Sequence, residues 1–182
     1  MRYFFDTEFI EDGKTIDLIS IGIVAEDGRE YYAISADFDL SNANGWVKEN
    51  VLKQLPRLSY SLSVEESRTG LTLDDKLPHP YKKRSKIRDE VLSFIGQDSP
   101  EIWAYYAAYD WVVLCQLFGT MMDLPKGWPM FCLDVKQLCH SLGNPALPEQ
   151  TSTEHHALND AIWTKQAWEY LAKLTPQEGG EG

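Results

Sequence analysis

Residues 2–35 carry dense apolar runs, rich in β-branched and aromatic side chains and broken by short polar turns, which predicts three successive strands: RYFFDTEF, TIDLISIGIVAE and REYYAISA. The dipeptides Asp12-Gly13 and Asp27-Gly28 sit between them, so the strands are expected to form an antiparallel meander. From Trp46 the apolar period lengthens. WVKENVLKQL and SKIRDEVLSFI read as helices on either side of a polar, proline-bearing loop over residues 57–81. A connection of that length is uncommon inside a domain, which makes it a candidate cover for a site or a partner surface. Beyond it EIWAYYAA reads as a buried strand, YDWVVLCQLFG as a helix, MFCLD as a short strand, and VKQLCHSL and HALNDAIWTKQAWEYLAKL as helices. The order βββααβαβαα predicts an α/β fold in which a mixed sheet of about five strands is flanked by helices. One domain is expected over residues 1–175, with 176–182 as a disordered tail.

Two acids interrupt the first strand in an unexpected place. Asp6 and Glu8 are two residues apart, so the strand period puts both carboxylates on one face, among Phe4, Phe5, Phe9 and Ile10. Either that face lies at an exposed edge, or a divalent cation offsets the several kcal/mol that burying unpaired carboxylates costs. Asp110 follows the strand IWAYYAA and opens the helix expected from Trp111. It is therefore an N-cap candidate, and it also stands where strand ends converge on one crevice in an α/β sheet. Asp160 lies on the last helix inside HHALNDA. His156, four residues before it, would share its helical face; His155, five before it, can meet it only from a segment preceding the helix. Such a histidine is either a solvated loop residue or a mobile base. Four dispersed acids with no softer ligand beside them make an oxygen-rich set suited to Mg²⁺ or Mn²⁺, and phosphodiester hydrolysis is chemistry that two such ions can drive.

Composition narrows the choice. Apolar residues make up 43% and charged residues 25%, the balance of an ordinary globular protein. The formal charge of −11, from 17 basic and 28 acidic residues, argues against blanket phosphate neutralisation as a way of gripping nucleic acid. An acidic site can instead meet phosphate through metal ions. No apolar run reaches the length needed to cross a bilayer and the N-terminus has no signal-peptide pattern, so a cytoplasmic protein without membrane contact is expected. Three cysteines without a C-x-x-C pair suggest free thiols. The basic stretch Lys82–Arg88, KKRSKIR, is either a solvated helix start or a track for a phosphate backbone.

Taken together, FDTEF, YYAAYD and HHALND resemble the three exonuclease motifs of the DEDD superfamily in its DEDDh branch, in order and across the whole chain. The longer stretches FFDTEFIEDGKTIDLISIGIVAEDGREYY and WAYYAAYDWVVLCQLFG resemble the small bacterial and phage exoribonucleases of the RNase AS type. The resemblance implies an RNase H-like fold and a 3′-to-5′ exoribonuclease acting on single-stranded RNA or 3′ overhangs to release nucleoside 5′-monophosphates. It also implies Asp6, Glu8, Asp110 and Asp160 as ligands of two Mg²⁺ or Mn²⁺ ions, His155 as the general base, and a homodimer. Many relatives carry Asn where this chain has Tyr106, so contacts of that Asn are not carried over. The tyrosine of the DEDDy branch would fall on His156. Glu8 and Phe9 are the candidate substrate contacts: Phe9 as a stacking surface for the terminal base or as core, and Glu8 or the backbone beside Phe9 as the group that senses a 2′-hydroxyl. The same motifs suit a 3′-to-5′ exodeoxyribonuclease acting on single-stranded DNA and, less well, a non-catalytic nucleic-acid-binding module. D-x-E near a strand end also occurs in nucleotidyl and glycosyl transferases.

Overall fold

The computed structural model describes residues 1–56, 79–96 and 99–175; most of the loop expected over 57–81, and the tail 176–182, lie outside the described residues. The predicted meander is present. Strands β1 (Arg2–Glu11), β2 (Ile16–Ala25) and β3 (Glu30–Ser35) pair antiparallel in sequence order. Gly13 and Gly28 occupy the hairpin turns with φ of 82° and 89°, a region glycine enters without a Cβ clash. A sixth strand joins the sheet: β4 (Tyr81–Lys82) runs parallel to β3 at the edge, within a segment expected to be loop. On the other side β5 (Glu101–Ala104) pairs parallel with β1, and β6 (Leu133–Asp134) parallel with β5, giving the order β4-β3-β2-β1-β5-β6. The count of about five missed β4 because a two-residue strand has no period to read.

The helices are α1 (Gly45–Asn50), α2 (Arg84–Ile95), α3 (Ala108–Phe118), α4 (Val135–Ser141) and α5 (Ala157–Leu174). The first is shorter than WVKENVLKQL suggests. Asn44 caps it by accepting from Val47 N at 2.9 Å, but the Asn50 side chain donates back to Trp46 O, and the chain passes into a 3₁₀ turn over Leu52–Gln54. Strand β5 stops at Ala104 rather than running through YYAA, because the chain turns at Tyr106, whose φ is 57°.

Alternation along β1 divides its side chains between two layers. Tyr3 and Phe5 pack into the main core with Ile87 and Val91 of α2 and Val113 and Leu114 of α3. Phe4 meets Trp168 of α5 at 5.5 Å between ring centroids, and Ile10 packs with Ile19, Val47 and Val51. Asp6 and Glu8 therefore sit on the α5 face of the sheet, between two apolar neighbours. Helix α5 approaches that face with a buried stripe of small side chains, Ala157, Ala161, Thr164 and Ala167, ending in Leu171.

Side chains of the basic stretch form ion pairs within the chain. Lys82 and Lys86 pair with Glu90, Arg84 with Asp17, and Arg88 with Asp89. These pairs fit the helix-start reading of KKRSKIR. Cys115, Cys132 and Cys139 are free thiols.

Candidate active site

Three of the expected acids meet. Single carboxylate oxygens of Asp6, Glu8 and Asp160 lie within 4.8 Å of one another, where α5 begins against the centre of β1. Among the described residues, no lysine or arginine forms an ion pair with any of them. Asp160 is anchored from two sides: Gln150 Nε2 donates to one oxygen at 2.5 Å, and the His156 backbone N–H donates to the other at 3.1 Å.

Asp110 is placed differently from the cap expected of it. Helix α3 begins at Ala108, so Asp110 falls inside the first turn and its carboxylate turns toward the sheet. Thr7 donates to it twice, from the backbone N–H at 2.9 Å and the hydroxyl at 2.6 Å. The pairing of β1 with β5 ends at Phe4 and Trp103, and Asp110 takes the Thr7 N–H beyond the last rung of that ladder. It lies outside the three-oxygen cluster but close enough for its charge to act on Asp6 and Glu8.

The carboxyl groups of the site crowd one another, and burial adds to the effect. Burial, reinforced by repulsion from Asp110, Glu8 and Asp160, holds the Asp6 carboxyl well above its usual range. Burial and the charges of Asp160 and Asp110 push Glu8 up to about 8. Asp110 is raised by burial to about 6, the Thr7 hydrogen bonds holding it down. Burial also raises Asp160, opposed by the Gln150 and His156 hydrogen bonds and by His155.

A cavity of about 320 Å³ opens beside the cluster, lined by Asp6 and Asp160 together with Tyr105, Gln150, His155 and Trp163. His155 stands just before the helix with φ of 61°, its ring edge-on to Trp46 at 4.8 Å. His156 faces elsewhere: its ring stacks on Tyr32 at 4.6 Å, and it is not part of the cavity wall. A larger cavity, about 620 Å³, lies among Trp111, Met121, Met130 and Phe131; its lining is mainly apolar with Asp134 as its one acid, so the chemistry belongs to the smaller cavity.

The sequence over residues 1–172 matches the model of the Rv2179c-like 3′-5′ exoribonuclease domain. The chain belongs to this family. It is 46% identical over 164 residues, 88% of this chain and 87% of the relative, to the 3′-5′ exoribonuclease Rv2179c of Mycobacterium tuberculosis. The same figures hold for the 3′-5′ exoribonuclease MT2234.1 from a second strain of that organism. Among solved structures, exonuclease I resembles the chain with a TM-score of 0.54 at 12% identity, over 95% of this chain and 40% of its own. That likeness is one of fold, and it bears out the RNase H-like architecture of the Rv2179c-like domain.

Within this Rv2179c-like domain, the structure brings together Asp6, Glu8, Asp160 and His155, with Asp110 behind them. It does not bring Phe9 into the cavity. Phe9 lies on the opposite face of β1, packed against the main core, its ring nearly parallel to that of Tyr109 at 5.8 Å. Sequence reasoning missed Gln150, whose hold on Asp160 comes from the irregular stretch NPALPEQTS, where no period or motif marks it. It missed Thr7 as well, although a hydroxyl between the two acids of D-x-E was the available signal.

The donor set fits a divalent cation: hard oxygens, close together, partly desolvated and, among the described residues, in no ion pair with lysine or arginine. A consequence follows for the stability of the Rv2179c-like exoribonuclease domain. As pH rises past the ordinary carboxylate values the unfolded chain loses its protons, while the folded chain keeps that of Glu8 up to about pH 8. The native state then binds more protons, so the contribution of these groups to stability falls with pH across that window. Bound cations remove the penalty and need deprotonated ligands. The rise in Tm on adding Mg²⁺ or Mn²⁺ is therefore expected to be larger at about pH 8 than at about pH 5. Differential scanning calorimetry checks this, and equal increments at both pH values would contradict it.

Proposed function

We propose that this chain is a divalent-metal-dependent 3′-to-5′ exoribonuclease that releases nucleoside 5′-monophosphates from single-stranded RNA or 3′ overhangs. The observation that carries this reading is the convergence of Asp6, Glu8 and Asp160 beside His155 in a chain of an exoribonuclease family. The names of the tuberculosis relatives support RNA as the substrate class.

Asp6, Glu8 and Asp160, with Asp110 behind them, would hold two Mg²⁺ or Mn²⁺ ions, which when bound supply charge neutralisation at the attacked phosphate. His155, on the cavity wall just ahead of the helix, takes the proton of the attacking water. Gln150 and the His156 N–H fix the Asp160 carboxylate, and Thr7 fixes Asp110, so these acids are oriented before substrate arrives. Glu8, or the backbone beside Phe9, is our candidate for sensing the terminal 2′-hydroxyl. The Phe9 ring, packed on the main-core face of β1 with Tyr109 stacked on it, takes the core role of the two its sequence position allowed. A homodimer and a cytoplasmic setting belong to the same proposal, and sedimentation analysis tests the former.

Matched RNA and DNA single strands, digested side by side, test the substrate class. Faster removal of nucleotides from RNA is expected, with adenine tested as a favoured base. A DNA strand degraded as fast as its RNA counterpart would favour the exodeoxyribonuclease reading.

A further inference from the structure

Gly22 lies within β2, directly across the antiparallel ladder from Asp6. Its neighbours Ile21 and Ile23 are fully buried, and its φ lies outside the left-handed region, so turn chemistry does not account for a glycine here. Contact does. A Cβ on Gly22 would stand 2.3 Å from Leu158 N and 2.4 Å from both the carbonyl carbon and oxygen of Ala157. These are backbone atoms of the first turn of α5, which cannot swing aside as the end of a side chain can. That turn is tied internally by the His156 N–H to Asp160 bond, and it lies between His155 and Asp160 in the chain.

We infer that Gly22 is a positioning residue for the metal site: by letting the start of α5 rest on the backbone of β2, it sets the distance between Asp6 and Glu8 on the strand and Asp160 and His155 at the helix. The inference rests on the ligand assignment proposed above. Relieving the contact that a methyl would make requires a shift on the order of 1 Å, from 2.3 Å to ordinary van der Waals separation. The shift can be absorbed locally. The chain between Leu142 and the helix has neither helix nor strand, and α5 remains fixed at its far end by Leu171, packed against Val135 and Cys139. Asp160 would then stand on the order of 1 Å farther from Asp6 and Glu8, which stay in place on the sheet.

The test compares wild type, Gly22→Ala and Leu171→Ala by calorimetric Mn²⁺ titration, circular dichroism and kcat. Leu171→Ala loosens the same helix at the end away from the acids and serves as the control for lost stability. Gly22→Ala is expected to fold, to bind Mn²⁺ about 10- to 100-fold more weakly, and to lose about 10²-fold in kcat. Leu171→Ala is expected to melt earlier and to bind Mn²⁺ as wild type does. Undiminished affinity in Gly22→Ala, an equal loss in Leu171→Ala, or a Gly22→Ala chain that does not fold would overturn the inference. Failure of the wild-type chain to bind Mn²⁺ would overturn the ligand assignment and this inference with it, whereas normal wild-type binding beside an unaffected variant would overturn this inference alone.

Discussion

Asp6→Asn is expected to reduce hydrolysis to the uncatalysed background while leaving the fold intact. Asparagine has nearly the shape of aspartate, so Phe4 and Ile10 keep their packing on either side. The amide lacks the charge that divalent ions require of their ligands. It also removes one of four neighbouring anions, each of which holds a proton more tightly because of burial or its neighbours. In the absence of metal the variant should therefore be at least as stable as wild type at about pH 8, since a neutral side chain avoids the cost of an uncompensated buried charge. Asp160→Asn is expected to lose activity in the same way, with an oxygen still available to accept from the His156 N–H. Turnover with Mg²⁺ or Mn²⁺ and thermal melts without metal, on the same preparations, check both halves of the prediction. Wild-type turnover by a folded variant would remove the metal-ligand assignment.

His155→Ala is expected to slow the chemical step by about 10² to 10⁴, the usual range for loss of a general base, with Mn²⁺ binding retained. His156→Ala should act mainly on stability, because its ring is engaged with Tyr32 and such an aromatic contact contributes about 0.5–1.5 kcal/mol beyond its buried area. Single-turnover rates on a 3′-labelled strand separate the two effects. A collapse of the rate in His156→Ala, with His155→Ala near wild type, would show that the base is the residue four before Asp160 and that the helical-face geometry governs.

Most of this arrangement was legible in the sequence, for physical reasons that differ from residue to residue. The period of two put Asp6 and Glu8 on one face, and the β1 register shows them there. The five-residue spacing placed His155 off the helical face of Asp160 and therefore ahead of the helix, where it stands. Asp110 was half legible: its place at the start of a helix was right, but the strand before it ends at Ala104, and a local cap motif cannot reveal that Thr7, far away in the chain, takes the carboxylate instead. Phe9 illustrates the opposite limit. Adjacency to Glu8 in sequence suggested proximity to substrate, while strand alternation directs its ring to the other layer. Gln150 and Gly22 act through tertiary contacts with α5, which neither composition nor period encodes.

Metal-dependent hydrolysis from a 3′ end is distinguished from other cleavage by three forms of one RNA: free at the 3′ end, blocked at the 3′ end, and circular. Each is incubated with the protein in Mg²⁺ and in excess chelator. Nucleoside 5′-monophosphates are expected from the free strand in Mg²⁺ alone, with the blocked strand protected and the circle intact. Cleavage of the circle, or undiminished release in chelator, would contradict it.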